Sequence, residues 1–244
     1  MHRFFLDPEL RVDGLDCLSP DDAKHALTVL RLKEGSPVEV VLFGRPWTAE
    51  IVSTENHKVF VRRLAPLSSN EASLKVTLFQ GLPKAEKMDW IVQKATELGV
   101  SRIVPVLMHR TVVRLSSKDC DHKMERWNRI IRESCKQSCR CVIPELCAPV
   151  ALPDLFSLPD MPEITAVPWE EADHSGPLAF HRAHPALSSL GILIGPEGGI
   201  TSEEISFLSD GGFVPITLGK RILRTETAGL AAVSAFMTLY GEMD

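Results

Sequence analysis

Two short segments near the C-terminus hold residue types at a spacing that chemistry can use. Ile194 to Thr201 reads IGPEGGIT, and Leu218 to Ala228 reads LGKRILRTETA. Gly195, Gly198 and Gly199 let a backbone approach a ligand and adopt dihedral angles that a side chain forbids, although a tight strand-to-helix turn would use the same glycines. The loop has neither the GxxxxGK[ST] of a phosphate cradle nor the GxGxxG of a dinucleotide fingerprint. Glu197 inside it would also repel a triphosphate. A neutral or cationic ligand suits it better, with backbone groups meeting an adenine or a ribose. The second segment crowds Lys220, Arg221 and Arg224 between a strand and an apolar helix. Arginines in such a place need an anionic or stacking partner, which a ligand would supply and a structural partner such as Glu197 or Glu226 would supply equally. Thr225 or Thr227 is available to cap the helix.

These segments need a scaffold that brings them together. From Leu74 onward strands alternate with longer helices, the pattern of βαβ units on a parallel sheet. Strands are expected at Lys75 to Gln80, Arg102 to Leu107, Ile164 to Val167, Leu190 to Ile194 and Phe213 to Thr217. Helices are expected at Pro83 to Leu98, opened by proline and closed by Gly99, and at Lys123 to about Cys139. A further helix runs to about Ser209 behind a capping box of Thr201 and Glu204, and a last one from Thr225 to Tyr240. In open α/β sheets ligands bind beyond the carboxyl ends of strands, where both glycine-bearing segments lie. The last helix is nearly free of charge after Glu226, so it must be central to its domain or part of a dimer interface.

Residues 1 to about 70 differ in kind. Short strands at Arg3 to Leu6, Val38 to Phe43, Trp47 to Ser53 and Val59 to Leu64 are broken by Gly35-Ser36-Pro37 and Phe43-Gly44-Arg45-Pro46. One helix, Pro20 to Leu30, is capped by Ser19. A small β-barrel is expected, joined to the rest by the polar stretch Leu67 to Glu71.

The chain has 244 residues, 44% of them hydrophobic, and a formal net charge of -5. Such a charge argues against a protein that coats nucleic acid indiscriminately, but it is unevenly spread. His109 to Arg140 holds nine Lys and Arg against four Asp and Glu, whereas Cys141 to His181 holds seven acids and no Lys or Arg. A local basic patch for RNA and a solvated helix face are both compatible with this. The six cysteines form no CxxC pair, so free thiols are expected and no metal site. No long apolar run and no signal-peptide pattern occur, which makes the cytoplasm the expected compartment.

In order along the chain, HRFFL, HALTVLRLKEG, LPKAEKMDWIVQKATELGV, HRTVV, ERW, ILIGPEGGIT and LGKRILRTETA resemble the ribosomal RNA small subunit methyltransferase E family of the SPOUT superfamily. The resemblance spans nearly the whole chain. It implies an α/β fold in which a PUA-like RNA-binding barrel (1–70) precedes a parallel-sheet domain (71–244) tied in a C-terminal trefoil knot, a rare exception to unknotted connection. It further implies a homodimer that uses S-adenosylmethionine to methylate N3 of a uridine in the decoding region of 16S rRNA, free or within the small ribosomal subunit. The cofactor would be held by Val167, Ile194, Gly195, Glu197, Gly198, Gly199, Leu218, Gly219, Ile222, Leu223, Thr227 and Ala228. Arg224 would stabilise the imide anion formed when N3 loses its proton, and Glu197 and His109 are candidates for accepting that proton. Arg3, Lys24 and Arg31 on the barrel, with Lys84, Lys87, Arg110 and Arg114, would meet RNA phosphates. The chain departs from the family pattern at Ser134 to Cys141, where Cys135 and Cys139 replace small residues and glycine.

Overall fold

The computed structural model describes residues 1–12, 14–114, 116–172 and 175–243. Its chain forms two compact units, one of Met1–Glu71 with Cys135–Val142, the other of Ala72–Ser134 with Ile143–Asp244.

The first unit is a six-stranded mixed sheet of β1 (Arg3–Phe5), β2 (Arg11–Val12), β3 (Leu15–Cys17), β4 (Pro37–Leu42), β5 (Arg45–Glu55) and β6 (Lys58–Pro66), in the order β1-β4-β5-β6-β3-β2. Only the β1–β4 pairing is parallel. Two-residue turns close both long hairpins, with positive φ at Phe43 (49°) and Gly44 (71°) and again at Asn56 (49°) and His57 (63°). That is the twist-matched geometry tight hairpins favour, and it puts Arg45 and Pro46 into β5, where the sequence suggested a turn. One face buries Phe4, Leu18, Val38, Val40, Ile51, Val59 and Val61. The Ser19 hydroxyl accepts the Asp22 amide at 3.2 Å and starts α1 (Pro20–Lys24). The helix then widens into a π-turn over His25–Val29, in which the Leu30 amide donates to the His25 carbonyl at 3.0 Å. Lys24 and Arg31 stand exposed at this turn.

Arg3 differs from the expectation placed on it. Its side chain is 7% exposed; Nη2 lies 2.6 Å from Glu39 Oε2, Nε donates to the same oxygen at 3.0 Å, and Nη1 donates to the Cys139 carbonyl. A guanidinium held this way fastens β1 to the 135–142 segment and has no free donor face for a phosphate. The sequence could not reveal this, because the partners lie 36 and 136 residues away.

The second unit is a parallel sheet of β7 (Lys75–Gly81), β8 (Arg102–Leu107), β9 (Glu145–Leu146), β10 (Val150–Ala151), β11 (Ile164–Pro168), β12 (Ser189–Ile194) and β13 (Val214–Ile216). The order is β10-β8-β7-β12-β11-β13, with β9 also on β8. The inner strands are mostly apolar, as burial on both faces demands, with Thr77, Gln80, Arg102 and Thr165 as buried polar exceptions. Helices α2 (Lys87–Glu97), α3 (Ser117–Gln137), α4 (Pro177–Ala183), α5 (Ser202–Asp210) and α6 (Thr225–Leu239) complete the unit, α3 entering the first unit with its last three residues. α5 begins with the expected capping box of Thr201 and Glu204. α2 starts four residues later than its proline suggests, since Ala85 takes a positive φ of 55°. α6 buries Thr225, Gly229, Ala232, Val233, Phe236 and Met237 along one stripe against α2, α4, β7 and β12. Leu230, Ala231, Ala235 and Leu239 on its other side stay partly exposed.

Candidate active site

Because the strands of this sheet are parallel, their carboxyl ends share one edge. Four neighbouring strands, β7, β12, β11 and β13, send loops that include 82–86, 195–201, 169–172 and 217–224 from it. Two adjoining cavities open among these loops. One of about 410 Å³ is lined by residues including Lys87, Gly195–Ile200 and Arg224, and one of about 380 Å³ by Trp169, Ala172 and Thr217–Leu223. Pro168, Glu170, Ile222, Leu223 and Ala228 line both.

The 195–199 loop is held from beneath by a buried polar chain. Gln80, fully buried at the end of β7, donates from Nε2 to the Gly81 carbonyl at 3.0 Å and to Thr225 Oγ1 at 2.9 Å. Thr225 Oγ1 donates onward to the Gly195 carbonyl at 2.6 Å. The first residue of α6 therefore sets the start of the loop rather than capping its own helix, whose N-cap is Arg224. Gly81 permits this approach, since a Cβ there would lie 2.5 Å from the Pro196 nitrogen. Gly199 has φ +75°, a left-handed conformation that disfavours other residues.

The loop is also stapled from its sides. Glu197 Oε1 accepts the Lys84 amide at 3.0 Å and lies 3.1 Å from Lys87 Nζ, which is 3.1 Å from Glu226 as well. Burial works to raise the Glu197 pKa, but its own amide, the Lys84 amide and the Lys87 ammonium outweigh it and hold the carboxyl below its ordinary value. An acid stabilised as its anion is a poor proton acceptor, which weakens the case for Glu197 as base. Arg110 Nη1 donates to the Gly198 carbonyl at 2.7 Å. Glu204 takes the His109 amide at 2.7 Å and the Thr201 amide at 3.0 Å, so one carboxylate anchors two loops.

Of the residues expected at a cofactor, Ile194, Gly195, Glu197, Gly198, Gly199, Leu218, Gly219, Ile222, Leu223 and Ala228 line these cavities. Val167 and Thr227 do not; the Val167 side chain is wholly within the core, and Thr227 is exposed at the start of α6. Arg224 is exposed, lines the larger cavity and makes no side-chain hydrogen bond or ion pair among the described residues. Lys87 and Arg110, expected at phosphates, instead brace the glycine loop; Lys84 and Arg114 remain exposed. Residue reading alone did not single out Gln80, Trp169 or Glu170. Gln80 reads only as a polar strand end, and Glu170 lies within the acidic stretch 141–181.

Comparisons with known proteins place the chain among RNA methyltransferases. Residues 70–237 match the RNA methyltransferase domain model and residues 18–62 the RNA methyltransferase PUA domain model. Ribosomal RNA small subunit methyltransferase E of Bacillus subtilis is 33% identical, covering 96% of this chain and 95% of its own. The structure of the same enzyme from Neisseria gonorrhoeae, bound to S-adenosyl methionine, superposes with a TM-score of 0.86 at 31% identity over 100% of both chains. A Legionella pneumophila structure holding bound SAM also gives 0.86, at 33% identity over 98% of this chain and 97% of that one. With two glycine-bearing loops at the carboxyl edge of the sheet, a PUA-type first unit and relatives matched from end to end, the chain belongs to the ribosomal RNA small subunit methyltransferase E family.

Proposed function

We propose that the protein transfers a methyl group from S-adenosylmethionine to N3 of a uridine in the decoding region of 16S rRNA. The observation that carries this reading is the pair of adjoining cavities at the carboxyl edge of the sheet, lined by glycine-loop backbone and lacking a phosphate cradle. The lining suits the cofactor. Backbone at 195–199 and 217–219 can meet adenine and ribose, Leu218, Ile222 and Leu223 offer apolar cover, and a cation meets a carboxylate at Glu170.

When bound, S-adenosylmethionine supplies an electrophilic methyl group on a good leaving group, so the protein's task is chiefly alignment. The Gln80–Thr225–Gly195 chain and the Lys87 staple fix the loop before any ligand arrives, which keeps reorganisation out of the barrier. Arg224 has a permanent charge and, beyond a longer-range attraction to Glu226, no side-chain hydrogen bond or close ion pair among the described residues. It stabilises the O2 or O4 side of the uridine imide as N3 gives up its proton.

Lys24 and Arg31, exposed on the first unit, and Lys84 and Arg114 on the second are the phosphate contacts of this reading. The domain boundary lies near residue 70, the C-terminal loops form the trefoil knot, and the protein acts in the cytoplasm. The apolar residues left half-open on α6 form a homodimer interface. No helix among the described residues is long and apolar enough to cross a membrane. Nucleoside mass mapping of rRNA from cells lacking the protein tests the reading. Loss of 3-methyluridine at one 16S position is expected, and an unchanged complement of methylated uridines refutes it.

A further inference from the structure

Three carboxylates line or border the larger cavity, and they differ in what they already hold. Glu197 and Glu226 share the Lys87 ammonium at 3.1 Å each. Glu170, in the loop after β11, is exposed and has no hydrogen bond or ion pair among the described residues. It nevertheless lines both cavities, and its Oε1 stands 3.1 Å from the point where a Cβ on Gly199 would lie. The carboxylate is thus set against the bare backbone of the glycine loop. Arg110 Nη1, 3.5 Å from the same point, is already bonded to the Gly198 carbonyl at 2.7 Å. A negative charge left unpaired at the junction of two ligand cavities calls for a cationic, hydrogen-donating group on the ligand.

If the cofactor reading holds, two cationic groups are available, the sulfonium and the α-ammonium. The sulfonium has no N–H or O–H donor, and its charge disappears as the methyl leaves. A carboxylate beside it would favour the ground state over the transition state and slow the reaction. The ammonium carries three donors and keeps its charge throughout. We propose that Glu170 binds the α-ammonium of the cofactor and so orients its amino-acid tail across the junction of the two cavities.

The test is calorimetric titration of the full chain and of Glu170→Gln with S-adenosylmethionine, S-adenosylhomocysteine and an S-adenosylhomocysteine analogue lacking the amino group. The substituted side chain is exposed, so the thermal midpoint should not move. Loss of a charge-assisted hydrogen bond should weaken the first two ligands alike, by roughly tenfold or more. The deaminated analogue should bind both proteins equally. Unchanged affinities, or a loss confined to S-adenosylmethionine, overturn the ammonium assignment while leaving the cofactor reading intact. Failure of the unaltered protein to bind either natural ligand overturns the cofactor reading and the assignment with it.

Discussion

Thr225→Val is the most exacting test of how the glycine loop is held. The substitution keeps the side-chain shape and removes only the hydroxyl, which donates to the Gly195 carbonyl at 2.6 Å and accepts from Gln80 Nε2 at 2.9 Å. Thr225 is 6% exposed and Gln80 is fully buried, so water cannot readily replace either bond. Each buried group left without a partner costs about 1–3 kcal/mol. Gln80 Nε2 retains its bond to the Gly81 carbonyl, so its share falls at the low end, and the sum is about 2–4 kcal/mol. For a chain of 244 residues that corresponds to a fall in thermal midpoint of roughly 5–15 °C. Urea unfolding should show the same loss as a lower midpoint with an unchanged slope. Thr227→Val, two residues along and exposed, is the control and should stay within about 0.5 kcal/mol of the parent. In the pair Gln80→Leu and Thr225→Val, the double variant should lose less than the sum of the singles, because the second change removes a group the first has already orphaned. Cofactor affinity should fall in Thr225→Val as the Gly195 carbonyl turns. A loss under about 0.5 kcal/mol, or strictly additive singles, would refute a coupled network beneath the loop.

Arg224→Ala should fold normally and bind cofactor with near-parental affinity while turnover on rRNA drops on the order of 100-fold, and parental turnover would remove Arg224 from the chemistry. Lys87→Met should alter the pH dependence of stability on both limbs. Glu197 and Glu226 have folded pKa values below the ordinary 4.5, so their contribution is present above that value and lost as pH falls through the folded values. Lys87 is raised above 10.5 by the same partners, so its contribution is present below 10.5 and fades as pH rises through the folded value. Urea midpoints followed from pH 7 toward both extremes should therefore be flatter in the variant, and coincident profiles would contradict the staple. Arg3→Ala leaves the Glu39 carboxylate and the Cys139 carbonyl without their partner and should cost about 3–5 kcal/mol, whereas Lys24→Ala should leave stability unchanged and weaken RNA binding with a smaller salt slope. Equal effects of the two substitutions on stability would show that Arg3 is an ordinary surface cation.

The parallel sheet was legible because its strands are apolar runs ending in glycine or turn residues. LGILI before GPEGG reads as a buried strand with its loop attached, and the capping box of Thr201 and Glu204 marks the next helix without ambiguity. What could not be read were features decided by distant partners. Pro83 predicts a helix start, but the Lys84 amide is held by Glu197, 113 residues on, and α2 waits until Lys87. Leu15–Cys17 and Val150–Ala151 are too short to show a period, and they exist as strands because longer neighbours offer edges to pair with.

The same limit explains which charges were misjudged. Residue type marks Arg3, Lys87, Glu197 and Glu170 alike as groups that can bind, yet function depends on whether the fold has already given each a partner. Arg3 closes on Glu39, and Lys87 bridges Glu197 and Glu226, which makes all of these parts of the scaffold. Glu170 and Arg224 line the larger cavity without a hydrogen bond or close ion pair among the described residues, one of each sign. A cationic cofactor opposite the first and a developing imide anion opposite the second would satisfy both. A site built for a phosphorylated ligand would have surrounded its glycines with unpaired cations and left no carboxylate free.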